Sequence, residues 1–442
     1  MTEKLYLGVS KTIITPEVGG NLMGYKPDLY STSINDDLTA TAFAFEQGTT
    51  KALMITVTLC VIGFDINEEI VTLLSEKFDI PKYNIMLCAT HTHSGPITKF
   101  QPGWGDIDRK YIDEIMIPGI LEAAEKAVNS KVAVKVGIGQ GESTVGINRR
   151  ELRADNKIYL GQNPWGPFDK RMTVISFKDE EENPVANIIH YGCHGTAAGS
   201  NKEVSRDWSG VMTDVVERDT GAITAFFNGC IGDAGPRNTN GRTGGGGNIA
   251  YAMELGGYAA RDAKTIFDTI KAYHDADISV FGGFVDIPLD KRLTVEEATE
   301  RLEPYKEKTV NSLGGFRNYY ESVIKSYDEG YVDVPARKIQ QTIIRIGDVA
   351  FVSTPFELFS EIGMRIDAYC KEIPYVLTLS NANGSAAYFV TEDQICRGGY
   401  EVDMHKMAYI QPYAKNADYA LICNTLENLK QLSNVKLGKE IL

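Results

Sequence analysis

Two of the chain's six histidines stand two residues apart in CATHTHSGP, Cys88 to Pro96, where an apolar run (Ile85, Met86, Leu87) meets a Gly-Pro stop. In extended backbone, residues i and i+2 point to the same side, so the imidazoles of His91 and His93 can reach one centre. Neutral imidazole is the commonest metal ligand, and His-x-His is a recurrent spacing for a divalent ion. Two hydrogen-bonded polar residues at a strand end would account for the pair equally well. A second loop holds two more histidines. His194, in GCHGTAAG, is flanked by glycines that leave an imidazole accessible and is the better ligand candidate. His190, still inside an apolar run, reads as a core or supporting residue, and His274 and His405 lie in more polar surroundings. A zinc site needs a third or fourth ligand, usually a carboxylate. Glu357 in STPFELF follows the apolar run VAFVS and is such a candidate. Its alternative is an ordinary acidic residue in the first turn of a helix, favourable to the dipole. Asp207 in SRDWSG and Asp233 in GCIGDAGP are weaker candidates, because short Asp side chains in glycine-rich loops usually close turns.

Other chemistries find less support. GCIGDAGP and RTGGGGN match neither phosphate-loop pattern, and no Lys follows at the required place, so GGGGN reads as a flexible loop or lid. No GxSxG elbow is present, and Ser94 beside His93 is all that a serine nucleophile could rest on.

The elements that must position these residues follow from periodicity. Strands are expected at Lys51–Cys60, Asn84–Ala89, Val132–Ile138, Met172–Phe177, Val185–His190, Ile223–Phe227, Ile278–Ile287, Ile339–Ile346, Val349–Ser353 and Val376–Leu379. Helices are expected at Asn67–Lys77, Arg109–Asn129, Ser209–Asp219, Ile249–Ala272, Val295–Val310, Asn318–Asp328 and Glu357–Lys371, with a capping box at Thr294 and Glu297. The alternation lacks strict βαβ regularity, so the expected fold is α/β with mixed β-sheets flanked by helices. Five strands run straight into loops crowded with polar residues and glycine: IMLCATHTHSGP, VANIIHYGCHGTAAGSN, ITAFFNGCIGDAGPRN, VAFVSTPFELF and YVLTLSNANGSAAYF. Ligands in α/β proteins gather outside the carboxyl ends of strands, which places the expected metal site there.

Composition sets the outer limits. The 442 residues are 43% hydrophobic and 24% charged, ordinary for a soluble globular enzyme, and carry a net charge of −14. That balance argues against a nucleic-acid partner and against attraction to anionic membranes. No apolar run is long enough to span a bilayer, so no integral membrane association is expected. No secretory signal is visible, and seven scattered cysteines form neither a disulfide framework nor a CxxC zinc site, which fits a cytoplasmic location. Oligomeric state is not readable from these features.

Taken in order, ATHTHSGP, GINRRE, HYGCHGT, FFNGCIGDAGPRN, STPFELFSEIG and NANGSAAYFVTEDQICRGGYE resemble the neutral/alkaline (non-lysosomal) ceramidase family, from about Leu7 to Asp403. The resemblance implies a zinc-dependent amide hydrolase. In it His91, His194, Glu357 and Tyr388 are the Zn2+ ligands, while His93, Arg149 and Tyr400 surround the scissile amide. The twelve-residue separation of the two tyrosines agrees with the family, and Arg149, not Arg150, follows the Asn of its motif. One departure is Gly235, which stands where the family loop carries a serine. Glycine cannot be a nucleophile, so the implied mechanism is attack by metal-activated water. His93 or Glu357 would pass the proton to the leaving amine, and Asp207 and Asp233 would orient ligand imidazoles. The other departure is that members carry an extra C-terminal β-sandwich and are secreted or membrane-facing. The expectation for this chain is a single catalytic domain over residues 1–442 without that β-sandwich. Its partner is then a small-molecule amide or lipid-like substrate, a soluble one in preference to bilayer-bound ceramide. The rival readings are another metallohydrolase (of an ester or cyclic amide), whose barrel would want eight regular βα units, and a non-catalytic small-ligand binder. Both ligand histidines, Glu357 and both tyrosines weigh against the latter.

Overall fold

The computed structural model describes residues 3–101, 104–237, 247–307 and 314–432. Three segments each run strand, helix, parallel strand. Thr50–Val57 leads through the helix Phe64–Phe78 to Ile85–Ala89. Pro184–Tyr191 leads through Asp207–Thr220 to Ile223–Asn228. Val349–Ser353 leads through Ser360–Tyr369 to Tyr375–Leu379. Antiparallel strands extend each parallel pair into a mixed sheet. The first gains Thr39–Gln47, Tyr6–Ile13 and Val132–Ala133, the second Arg171–Lys178 and Lys135–Glu142, the third Ala336–Ile346 and Ile278–Pro288.

Strands buried on both faces explain the near-continuous apolar runs. Along Thr50–Val57, Ala52 and Met54 enter a core shared by all three sheets, while Leu53, Ile55 and Val57 face the helices Phe64–Phe78 and Ile117–Asn129. The shared core is tied by aromatic contacts, with Phe43 to Phe227 at 6.0 Å and Phe227 to Phe351 at 6.2 Å between ring centroids. Helices Asp207–Thr220 and Ile249–Phe267 cover the second sheet, and Ser360–Tyr369 and Ala417–Lys430 the third. Each of these three sheets therefore has one face on its neighbours and one on helices, and all three send the carboxyl ends of their parallel strands to one place.

Several expected boundaries move, each for a physical reason. Val132–Ile138 is two strands, Val132–Ala133 in the first sheet and Lys135–Glu142 in the second. Arg109–Asn129 contains a π-helical turn, Ile112–Met116, just before Pro118, whose missing N–H and ring widen the preceding turn. Glu357–Lys371 is not one helix. Glu357–Leu358 is a short strand, and the helix begins at Ser360. Ile249–Ala272 ends at Phe267, and Val295–Val310 ends at Leu302, with residues 308–310 outside the described residues. The capping box is present, with Thr294 Oγ1 accepting from Glu297 N at 3.2 Å. Of RTGGGGN, residues 242–246 lie outside the described residues, and Asn248 caps the helix Ile249–Phe267.

Asn228, buried at the end of its strand, ties the three carboxyl edges together. Its Nδ2 donates to Thr90 O at 2.8 Å, its Oδ1 accepts from Cys193 N at 3.2 Å, and its carbonyl accepts from Ser380 N at 3.2 Å. Asn228→Ala would leave the first two backbone groups buried and unpaired. The expected loss is about 2–4 kcal/mol of unfolding free energy in urea titration. A loss under about 0.5 kcal/mol would show that the edges hold together without it.

Candidate metal centre

His91 and His93 follow Ile85–Ala89, but not in extended backbone. His91 has φ of 68°, a left-handed conformation uncommon for a residue with a side chain, held by its N–H bonding Leu59 O at 2.9 Å. The two imidazoles nevertheless come together, with ring centroids 4.8 Å apart, because the chain bends between them. Thr92 forms a bridge with Gly195, and His93 N donates to Gly195 O at 3.0 Å, which zips the His91 loop to the His194 loop. A Cβ on Gly195 would lie 2.7 Å from His91 O, so the approach requires glycine there. Glu357 and Tyr388 are register partners in the two-stranded parallel ladder Glu357–Leu358 with Tyr388–Phe389, and so share a face.

These loops bring lone pairs together. His91 Nδ1 contacts Cys60 O at 2.8 Å, and His194 Nδ1 contacts Ala234 O at 3.0 Å. Each contact assigns the N–H to Nδ1 and leaves Nε2 as a lone-pair donor facing inward. Glu357 Oε2 lies 3.4 Å from His91 Nε2 and 3.2 Å from His194 Nε2, and makes no hydrogen bond. Tyr388 OH lies 3.4 Å from His194 Nε2. A tetrahedral ion with zinc–nitrogen and zinc–oxygen bonds of ~2.0–2.1 Å keeps its donors about 3.3 Å apart. The donor set fits such an ion in type and in spacing. His93 Nε2 lies 3.1 Å from His91 Nε2, but His93 groups with His91 and Cys60, apart from the close set of His91, His194 and Glu357.

Electrostatics express the same crowding. Burial lowers the pKa of His194 to about 3, with help from Arg149, and holds His93 well below its ordinary value. Burial also depresses His91, but the Glu357 carboxylate outweighs it and raises His91 to about 10. Burial would raise Glu357, yet His91 and His194 together keep it well below the usual carboxylate range.

A second constellation flanks the first. Arg149 and Arg150, on the strand Gly146–Leu152, both reach Glu401 because the register shifts between Asn148 and Arg150. Arg149 Nε donates to one carboxylate oxygen at 2.9 Å and Arg150 Nη1 to the other at 2.7 Å. All three side chains are buried. The Arg149 guanidinium sits 5.3 Å from the Tyr388 ring centroid, and its Nη2 is buried without a partner. The Tyr400 ring lies 5.5 Å from that of Tyr388. The structure thus brings His91, His93, Arg149, His194, Glu357, Tyr388 and Tyr400 to one place.

Other candidates have different surroundings. His190 turns away, its Nε2 3.2 Å from Thr378 O. Asp207 accepts from Ala197 N, Ala198 N and Trp208 N, and Asp233 from Ser360 N, Ser360 Oγ and Asn148 Nδ2. Neither holds an imidazole, because the backbone carbonyls of Cys60 and Ala234 occupy that position. Ser94 Oγ accepts from Asn201 Nδ2 at 3.2 Å, with no histidine bonded to it among the described residues. His405 is buried, not in polar surroundings, and its Nδ1 lies 3.0 Å from Tyr388 O. Sequence reasoning missed Glu401, His405 and Asn228. The one available signal was Glu401's place beside Tyr400.

A family model, neutral/alkaline non-lysosomal ceramidase, N-terminal, matches residues 5–248. The chain belongs to this family. It is 30% identical over 258 residues to neutral ceramidase A of Dictyostelium discoideum, which is 52% of this chain and 35% of that protein. Neutral ceramidase of Oryza sativa subsp. japonica is 22% identical over 218 residues, 46% of this chain and 28% of that protein. The matches thus span about a third of the length of these curated relatives. The fold is that of the crystal structure of neutral ceramidase from Pseudomonas aeruginosa, at a TM-score of 0.74 and 20% identity over 96% of this chain and 73% of that one. A ceramidase complexed with C2 aligns at a TM-score of 0.73, with 19% identity over 96% and 74% of the two chains. Among the described residues no helix is long and apolar enough to cross a membrane.

Glu401→Ala would leave two buried guanidinium groups without their shared carboxylate. Denaturant unfolding should report a loss of about 3–5 kcal/mol. A loss within about 1 kcal/mol would mean that water or another group satisfies both arginines.

Proposed function

We propose that the chain is a zinc-dependent hydrolase of carboxamide (N-acyl) bonds, with His91, His194, Glu357 and Tyr388 holding the ion. His93, Arg149 and Tyr400 then act on the amide. The observation that carries this reading is the set of donor separations, 3.2 to 3.4 Å, around a buried carboxylate oxygen without a hydrogen bond. Family membership supports the amide as the bond cleaved.

A bound divalent ion supplies Lewis acidity and a water of lowered pKa, from about 15.7 towards roughly 7. The chain's own residues do the rest. Arg149, oriented by Glu401, offers the unpartnered Nη2 to an oxygen that gains negative charge. Tyr400, half-exposed at the mouth, offers its hydroxyl to the same amide. His93 Nδ1 is buried without a partner, and Nε2 is the nitrogen turned towards His91 and the reacting atoms. His93 Nε2 is then the atom that takes up the proton the attacking water gives up and returns it to the leaving nitrogen, because Glu357 is committed to the two imidazoles. Gly235 contributes no nucleophile, which leaves water in that role. A cavity of about 380 Å³ lined by Arg153, Ile158, Tyr159, Leu160 and Tyr400 lies beside this group. Its volume and largely apolar walls suit a small N-acyl compound.

Purified protein should contain about one zinc per chain by elemental analysis, and a chelator should abolish amide hydrolysis reversibly. His91→Ala and His194→Ala should each lose the metal, and full zinc occupancy in both would sink the assignment. His93→Ala should keep the metal and lose about 10²–10⁴-fold in kcat. A fluorophosphonate probe should label no serine.

A further inference from the structure

Beyond the residues assigned above, one cation lies close to the centre without a carboxylate partner. Lys99 stands six residues after His93, in ATHTHSGPITKF, and its segment is clamped by Gly63 N donating to Thr98 O at 3.2 Å. Its side chain is half-buried and crosses to the loop that leads into Tyr388. There Nζ donates to Ala386 O at 3.0 Å and lies 3.3 Å from Ser385 Oγ. An ammonium has three N–H groups, and these contacts use two. Among the described residues Lys99 forms no ion pair, whereas Lys11 and Lys131, also partly buried, each have a glutamate. Burial draws its pKa below the ordinary 10.5, opposed by the nearby Glu357 carboxylate. Glu357 makes no ion pair with it, its Oε2 being turned to His91 and His194. A half-buried ammonium so placed is short of one anion.

We infer that Lys99 receives an anionic group on the substrate, so that the compound cleaved is an N-acyl species bearing a carboxylate or a group of similar charge. This rests on the hydrolase reading for the chemistry, but on Lys99 alone for the charge. A lysine present merely to pin residues 385–386 would need its hydrogen bonds and not its charge. A neutral donor would then do as well, and this separates the two roles.

The test compares N-hexanoylglycine with its methyl ester, first in binding by calorimetry and then in hydrolysis of the amide. The native zinc-loaded protein should bind the carboxylate at least tenfold more tightly than the ester. Lys99→Gln should bring that ratio down about 10- to 100-fold, towards one or below, and Lys99→Arg should keep it. The matching N-hexanoyl aminomethylphosphonate supports the inference if it binds at least as tightly as the carboxylate and loses that binding in Lys99→Gln, and the tighter of the two names the anion. Native protein that binds carboxylate and ester equally overturns the inference, as does a preference that survives Lys99→Gln. A charge preference without hydrolysis of either compound would overturn the hydrolase reading and leave the assignment of Lys99 standing.

Discussion

The structure depends on keeping one carboxylate buried among imidazole lone pairs. Glu357 Oε2 faces two nitrogens at 3.2 and 3.4 Å without a hydrogen bond, an arrangement that costs free energy unless a positive charge lies between them. No single element can assemble it. The first βαβ unit delivers His91, the second His194, and the third Glu357 and Tyr388. That requirement accounts for the shared core. Three sheets that pack on one another hold their carboxyl edges at fixed separation, which donors about 3 Å apart need and mobile loops would not supply.

Much of the support for this cluster comes from the main chain. Cys60 O and Ala234 O set the tautomers of His91 and His194, Gly195 O fixes His93, and the Tyr388 carbonyl rests on His405. A backbone carbonyl is the same chemical group whatever side chain it carries. Two aspartates were therefore natural suspects for this role, and both instead accept from backbone N–H groups, Asp207 from Ala198 in the preceding loop and Asp233 from Ser360 at the head of a distant helix.

The same distinction separates what could be read in advance from what could not. Runs such as Ile85–Ala89 and Val349–Ser353 announce buried strands, and their polar, glycine-rich ends announce the site, because burial on both faces and convergence both demand particular residue types. Thr39–Gln47 was missed because its alanines carry no strand preference, and what makes it a strand is pairing with Tyr6–Ile13 and Thr50–Val57. Glu357 looked like the first turn of a helix, since its strand is two residues long and is defined by a partner thirty-one residues on. Glu401 and Asn228 act through contacts with residues about 250 and 140 positions away, respectively. No local pattern encodes such distances.

Gly235 illustrates how far main-chain geometry can relieve a side chain of duty. It lies in the three-residue strand Ala234–Pro236, paired with Ile147. On one side Asp233 O accepts from Arg149 N at 2.8 Å, and on the other Ala234 O meets His194 Nδ1 at 3.0 Å. This strand therefore couples the position of the Arg149 guanidinium to that of the His194 imidazole. It does so through carbonyls alone. A hydroxyl at 235 would add nothing to that coupling, so its absence leaves the geometry of both groups intact. The segment's contribution is alignment, and the burden of chemistry falls on the side chains it aligns.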